Sequence, residues 1–151
     1  MSDENALIRP AESQPEWRVL DDRLRVLATL AQTDGQYELF VVDGPEGSGP
    51  PPHRHPWEEA FFVTDGELDV QVGEIRAHVA AGDYVRIPAH TTHTFRVTTP
   101  QARFLALTLP AEEAGRSASG FFETMHREIP FPPPSFEAVC AVAERNGVTL
   151  G

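Results

Sequence analysis

Apolar and polar residues alternate in short runs from Trp17 to about Leu109. Leu24, Val26, Ala28 and Leu30 recur at every second position, as do Tyr37, Leu39 and Val41. A period of two marks a strand with one buried face. The runs are separated by turn signals at Asp34-Gly35, Asp43-Gly44-Pro45, Asp65-Gly66, Gly73-Glu74 and Gly82-Asp83. Short strands at such spacing predict an all-β barrel or sandwich. The Asp65-Gly66 turn predicts a two-residue hairpin in which Thr64 faces Glu67. In that register Phe61 faces Val70, Val63 faces Leu68 and Glu59 faces Val72.

The pattern changes after Pro110. Residues 111–126 predict a short helix ending in Phe121, Phe122 and Met125, and Pro130–Pro134 an extended bridge. Ser135 is placed as an N-cap, with Phe136, Val139, Cys140 and Ala143 at helical spacing and Gly147 at the C-terminal cap. The expected organisation is a flexible leader over 1–16, a β-barrel over 17–110, and a helical, proline-rich tail over 111–151 docked on the barrel. At 151 residues the chain can bury a core without disulfides.

Composition narrows the chemistry. The net charge of -11 argues against nucleic acid and anionic membranes as partners. All twelve basic residues are arginines, so no lysine Schiff base can form. The single cysteine, Cys140, excludes an internal disulfide and a thiolate zinc cluster, and reads as a small buried hydrophobe. The glycines of GPEGSGPPP lack the Lys-Ser/Thr ending of a phosphate loop and read as a stiff connector. The polar N-terminus carries no targeting pattern, which makes the cytoplasm the expected location.

Four of the six histidines cluster in sequence, His53 and His55 in PPPHRHPWEEAFFV and His90 and His93 in RIPAHTTHTFRV. Residues two apart in an extended chain share a face, so His53 and His55 can grip one ion. Glu59 is the one charged residue on a face otherwise made of Phe61, Val63, Leu68, Val70 and Val72. A carboxylate buried without a partner costs several kcal/mol, and a metal shared with the two histidines supplies that partner. The simpler alternative puts Glu59 at a frayed strand end in water. His93 heads a further apolar face with Phe95 and Val97, and joins the other three as a ligand candidate. His90 falls in a turn and is not expected to be a primary ligand.

These residues carry a resemblance. Gly47 to Gly66 reads Gly-x5-His-x-His-x3-Glu-x6-Gly, and the stretch from Gly82 reads Gly-x5-Pro-x-His-x2-His. The first matches, and the second resembles, the two motifs of the cupin family. His90 stands where the family usually has glycine, and Val97 where it often has asparagine. The resemblance implies a double-stranded β-helix (jelly roll), usually dimeric, with His53, His55, Glu59 and His93 at the metal-ligand positions. EAFFVTDGEL, PAHTTHTF and the tail ending NGVTLG are similar to quercetin dioxygenase-like single-cupin proteins.

Three nitrogens and one carboxylate suit a single divalent iron, manganese, nickel, cobalt, copper or zinc ion. The expected pocket lining is Phe61, Val63, Leu68, Val70, Phe95 and Val97. The resemblance implies a small-molecule dioxygenase acting on a flavonol-like or other enolisable hydroxy-ketone, with Glu59 as the base. A redox-neutral cyclase or isomerase and a non-catalytic binding cupin stay open as alternatives. A homodimer with residues 17–31 at the interface is expected, because a barrel must protect its edge strands.

Overall fold

The computed structural model describes residues 6–151, and of the expected leader residues 1–5 lie outside it. Among the described residues eleven strands form two antiparallel sheets, with two helices between the tenth strand and the last. The strands are β1 (Glu16–Val19), β2 (Asp22–Ala28), β3 (Glu38–Pro45), β4 (His53–Arg54), β5 (Glu59–Asp65), β6 (Glu67–Val72), β7 (Ile75–Ala80), β8 (Tyr84–Ile87), β9 (His93–Val97), β10 (Gln101–Thr108) and β11 (Thr149–Leu150). The helices are α1 (Ala118–Glu128) and α2 (Phe136–Arg145). One sheet has the order β1-β2-β3-β10-β5-β8 and the other β11-β4-β9-β6-β7. Their inner faces enclose a core that includes Phe40, Phe61, Val63, Leu68, Val97 and Phe104. This is the expected jelly roll with a short C-terminal helical tail.

The Asp65-Gly66 turn does not make a hairpin. β5 pairs with β10 and β8, whereas β6 pairs with β7 and β9 in the opposite sheet. Gly66 turns the corner between sheets at φ +77, where a Cβ would lie 2.3 Å from the Gln101 carbonyl. Phe61 accordingly faces Ala106 and Val85, and Val70 faces Phe95 and Ala77. The inward parity of both strands survives, because alternation depends on direction relative to the core and not on pairing partner.

In β3 the expected phase is inverted. Glu38, Phe40 and Val42 point inward, while Tyr37 is exposed and Leu39 half-buried. Leu39 to Val42 is a continuous apolar run, which periodicity cannot phase. Leu30 leaves the strand pattern for a short 3₁₀ turn. Glu38 is 1% exposed, and its carboxylate accepts from the N–H groups of Leu30 (3.0 Å) and Ser119 (2.8 Å). Ser119 is in the first turn of α1, where a carboxylate satisfies an otherwise unpaired N–H and complements the helix dipole.

The tail does dock on the barrel, but its helix starts later than expected, at Ala118, after the Ser117 hydroxyl caps Gly120 N–H. Ser135 caps α2 as expected, and Gly147 follows it at φ +79. Phe136 is exposed and Cys140 only half-buried, because Val139, Val142 and Ala143 form the buried face. β11 then pairs with β4, with Leu150 opposite His53. Among the described residues no helix is long and apolar enough to cross a membrane.

Candidate metal centre

The site lies at one end of the barrel, where β4, β5 and β9 converge. His53 pairs with His93 across β4 and β9, and Arg54 between the two motif histidines points to solvent. His55 and His93 are 4% and 2% exposed, and His53 is half-buried. One nitrogen from each of the three rings lies within 4.8 Å of the others. Glu59, 6% exposed, places Oε1 3.5 Å from His55 Nε2 and 3.5 Å from His93 Nε2.

The backbone sets the tautomer of each ring. The Nδ1 of His53 lies 3.0 Å from Pro51 O, that of His55 2.9 Å from Trp57 O, and that of His93 2.8 Å from Thr91 O. A carbonyl only accepts, so each Nδ1 carries the proton and donates it. In the neutral ring Nε2 then keeps its lone pair, the state a metal ligand requires. Burial, together with the His93 and His55 rings, pushes His53 down to about 3. Burial alone would raise Glu59, but when the metal-free His55 and His93 rings carry a second proton on Nε2 they outweigh it and hold the carboxyl well below its usual range.

Three lone pairs and a carboxylate converging in a buried space fit a divalent cation. His93 Nε2 is buried without a hydrogen-bond partner, although Glu59 is its neighbour at 3.5 Å. Donors held about 2.1 Å from one ion sit roughly 3.0–3.4 Å apart at adjacent positions, close to the two 3.5 Å distances from Glu59 to His55 and His93. The donor set admits several first-row metals.

His90 stands apart. It is exposed, adopts φ +64 in the turn before β9, and donates its backbone N–H to His55 O at 2.8 Å. Trp57 is a neighbour the motif reading missed. Its ring stacks on His55 at 4.4 Å and 10°, it is 1% exposed, and its indole N–H has no partner. The signal available in sequence was an aromatic residue two positions after His55.

An apolar cavity with room for about 80 Å³ of solvent opens beside the cluster. Phe61 and Phe95 line it as expected, but Val63, Leu68, Val70 and Val97 do not. Val63 and Val97 lie further along β5 and β9, and Leu68 and Val70 on β6, where side chains from both sheets fill the barrel. Alternation reports the direction of a side chain, not its depth. Phe121, Phe122 and Met125 of α1 and Val139 of α2 complete the lining, so the tail closes the mouth of the barrel. Glu58, the neighbour of Glu59, faces the other way and pairs with Arg86 at 2.6 Å.

Comparison with known proteins agrees with this geometry. Residues 39–108 match the cupin domain family. Quercetin 2,3-dioxygenase from Bacillus subtilis (strain 168) is 25% identical over 113 residues, covering 74% of this chain and 31% of the relative. The chain thus spans about a third of that relative's length. KdgF from Halomonas sp. superposes with a TM-score of 0.63 at 17% identity, over 72% of this chain and 96% of that one. An RmlC-like cupin from Shewanella frigidimarina gives a TM-score of 0.62 at 19% identity, over 70% and 92%. A predicted oxalate decarboxylase from Thermotoga maritima gives 0.63 at 16%, over 69% and 99%. With the two-sheet jelly roll, both motifs in place and a three-histidine cluster at the barrel mouth, the chain has the cupin fold and carries a cupin domain over residues 39–108.

Proposed function

We propose that the protein is a metal-dependent dioxygenase acting on a small enolisable hydroxy-ketone. The observation that carries this reading is Glu59, a buried carboxylate in contact with two of three convergent histidines at the wall of an apolar cavity. The similarity to a quercetin 2,3-dioxygenase supports it. A divalent metal held by His53, His55, His93 and Glu59 would supply Lewis acidity toward the ketone and enolate oxygens and a meeting point with dioxygen. The chain's own residues do the rest. Glu59 takes the substrate's hydroxyl proton, the backbone carbonyls of Pro51, Trp57 and Thr91 hold the rings in one tautomer, and Phe61, Phe95 and Phe104 pack the substrate and exclude water.

The cavity bears on the substrate. Its roughly 80 Å³ is below the approximately 150 Å³ of an engineered cavity that takes up benzene. A single-ring hydroxy-ketone therefore needs some outward movement of the lining from α1, and a three-ring flavonol a far larger one. The test is oxygen uptake by protein reconstituted separately with iron, manganese, cobalt, nickel, copper and zinc, using single-ring hydroxypyranones and quercetin as substrates. Uptake with at least one metal is expected, with loss of both bound metal and uptake in His55→Ala and His93→Ala. Product formation without oxygen would replace this reading with a redox-neutral isomerase or cyclase using the same base.

A further inference from the structure

One buried carboxyl group has no role in the site described so far. Asp22 opens β2 on the inner face of the barrel, 6% exposed, and lines the same cavity as the histidine cluster. Apart from the three histidines, Glu59 and the Trp57 indole, every other side chain of that lining is apolar. Asp22 Oδ1 is buried without a hydrogen-bond partner. The Ser48 hydroxyl lies alongside, but it too lacks a hydrogen bond of good geometry. The backbone makes space for both groups. A Cβ at Gly44 would fall 2.5 Å from Asp22 Oδ1 and 2.3 Å from Ser48 Oγ.

A carboxyl group in this position is costly to the fold. Buried acceptors are normally satisfied, and an unpaired one destabilises the fold, more so if charged. Burial pushes Asp22 up to about 7, against the pull of Ser48 and with a further push from Asp21. Nothing in the packing requires an acid here, since Asn or Leu would occupy similar volume. An unpartnered acceptor in an otherwise apolar cavity fits a ligand that brings a donor.

We propose that Asp22 is a substrate-binding residue that accepts a hydrogen bond from a hydroxyl group on the substrate other than the hydroxy-ketone pair held at the histidine cluster. This rests on the proposed function and narrows it. The substrate class becomes a small hydroxy-ketone carrying an additional hydroxyl.

Two pyranones separate the possibilities. Kojic acid and allomaltol share the same ring and chelating hydroxy-ketone, and differ by a hydroxymethyl in place of a methyl group. Their binding to the zinc-loaded and nickel-loaded protein is measured by calorimetry. Wild type is expected to bind kojic acid about tenfold or more tightly than allomaltol, as a hydrogen bond to a buried carboxyl group allows. Asp22→Leu should erase the ratio, and Asp22→Asn, which keeps an acceptor, should restore most of it. Equal binding of the two compounds by wild type would overturn the assignment while leaving the metal-site reading intact. A ratio unchanged in Asp22→Leu would overturn it as well. Binding of neither compound would overturn both this inference and the hydroxy-ketone reading. The wild-type ratio decides the matter even if Asp22→Leu does not fold.

Discussion

Glu58 and Glu59 are adjacent acids with opposite surroundings. Glu59 contacts His55 and His93 inside the barrel, and Glu58 pairs with Arg86 outside. General-base assistance is worth roughly 10²–10⁴ in rate. Glu59→Gln, which keeps the size and one oxygen donor, should hold much of its metal while losing turnover by a factor in that range. Glu58→Gln should remain within about twofold of wild type, since exposed ion pairs contribute little. Steady-state kinetics alongside metal analysis of the two variants would decide it, and equal damage from both would refute the role of Glu59. Asp22 shows the same tension between stability and use. Its folded value near 7 exceeds its ordinary value of 3.8, so the folded state binds the proton more tightly than the unfolded one. Stability should therefore fall as pH rises from about 4 to about 7 and level off above. Asp22→Asn should remove that slope and be more stable than wild type at pH 8 by roughly 2–4 kcal/mol, with the difference vanishing near pH 4. Urea unfolding across this range checks the sign, and a wild type that is the more stable at pH 8 would contradict it.

Helix α1 closes the cavity, and one inward-facing residue on another element ties it down. The Glu38 carboxylate joins β3 both to the 3₁₀ turn at Leu30 and to Ser119 at the start of α1. Glu38→Leu would leave two part-buried N–H groups unpaired, and a loss of about 1–3 kcal/mol is expected. Faster proteolysis between residues 109 and 120 should accompany it, measurable by limited digestion. If global stability fell but this segment stayed protected, Glu38 would not be the tie. The histidine strand is held in a comparable way. β11 pairs with β4 beside His53, and Gly49 crosses so close to β9 that a Cβ would lie 1.8 Å from Phe95 O. These contacts join segments far apart in the chain, and neither the Glu38 pattern nor the NGVTLG ending announced its partner.

The outer face of the larger sheet concerns the molecule as a unit. Leu39, Ala60, Phe62, Leu105 and Leu107 follow one another across β3, β10 and β5 on the side away from the core, around the buried Val41. Phe62 is 45% and Leu107 37% exposed, and Tyr84 on neighbouring β8 is 65% exposed. A contiguous apolar patch of this kind favours association, and β1–β2, which contain most of residues 17–31, lie in the same sheet. A dimer by light scattering at micromolar concentration is expected, converted to monomer by Phe62→Glu with Leu107→Asp. A monomeric wild type would rule the interface out.

Much of this protein was legible along the chain. Alternation and turn residues gave the strands, and the direction of each side chain followed from parity, a local property of extended backbone. The motif spacing picked out His53, His55, Glu59 and His93 as candidate ligands, His53 and His55 because residues two apart in extended chain share a face, and His93 because it heads a second inward face. The continuous apolar run in β3 left its phase open, and Phe40 and Val42, not Leu39 and Val41, proved to take the core positions. Pairing was decided in three dimensions, since Asp65-Gly66 suits a hairpin and a corner equally until β10 and β9 compete for the two strands. Depth was decided there too. Val63, Leu68, Val70 and Val97 share the parity of Phe61 and Phe95 but lie in the filled part of the barrel. Asp22, Glu38 and Trp57 acquired their importance only from what the fold packs around them, because burial depends on distant segments that no local pattern encodes.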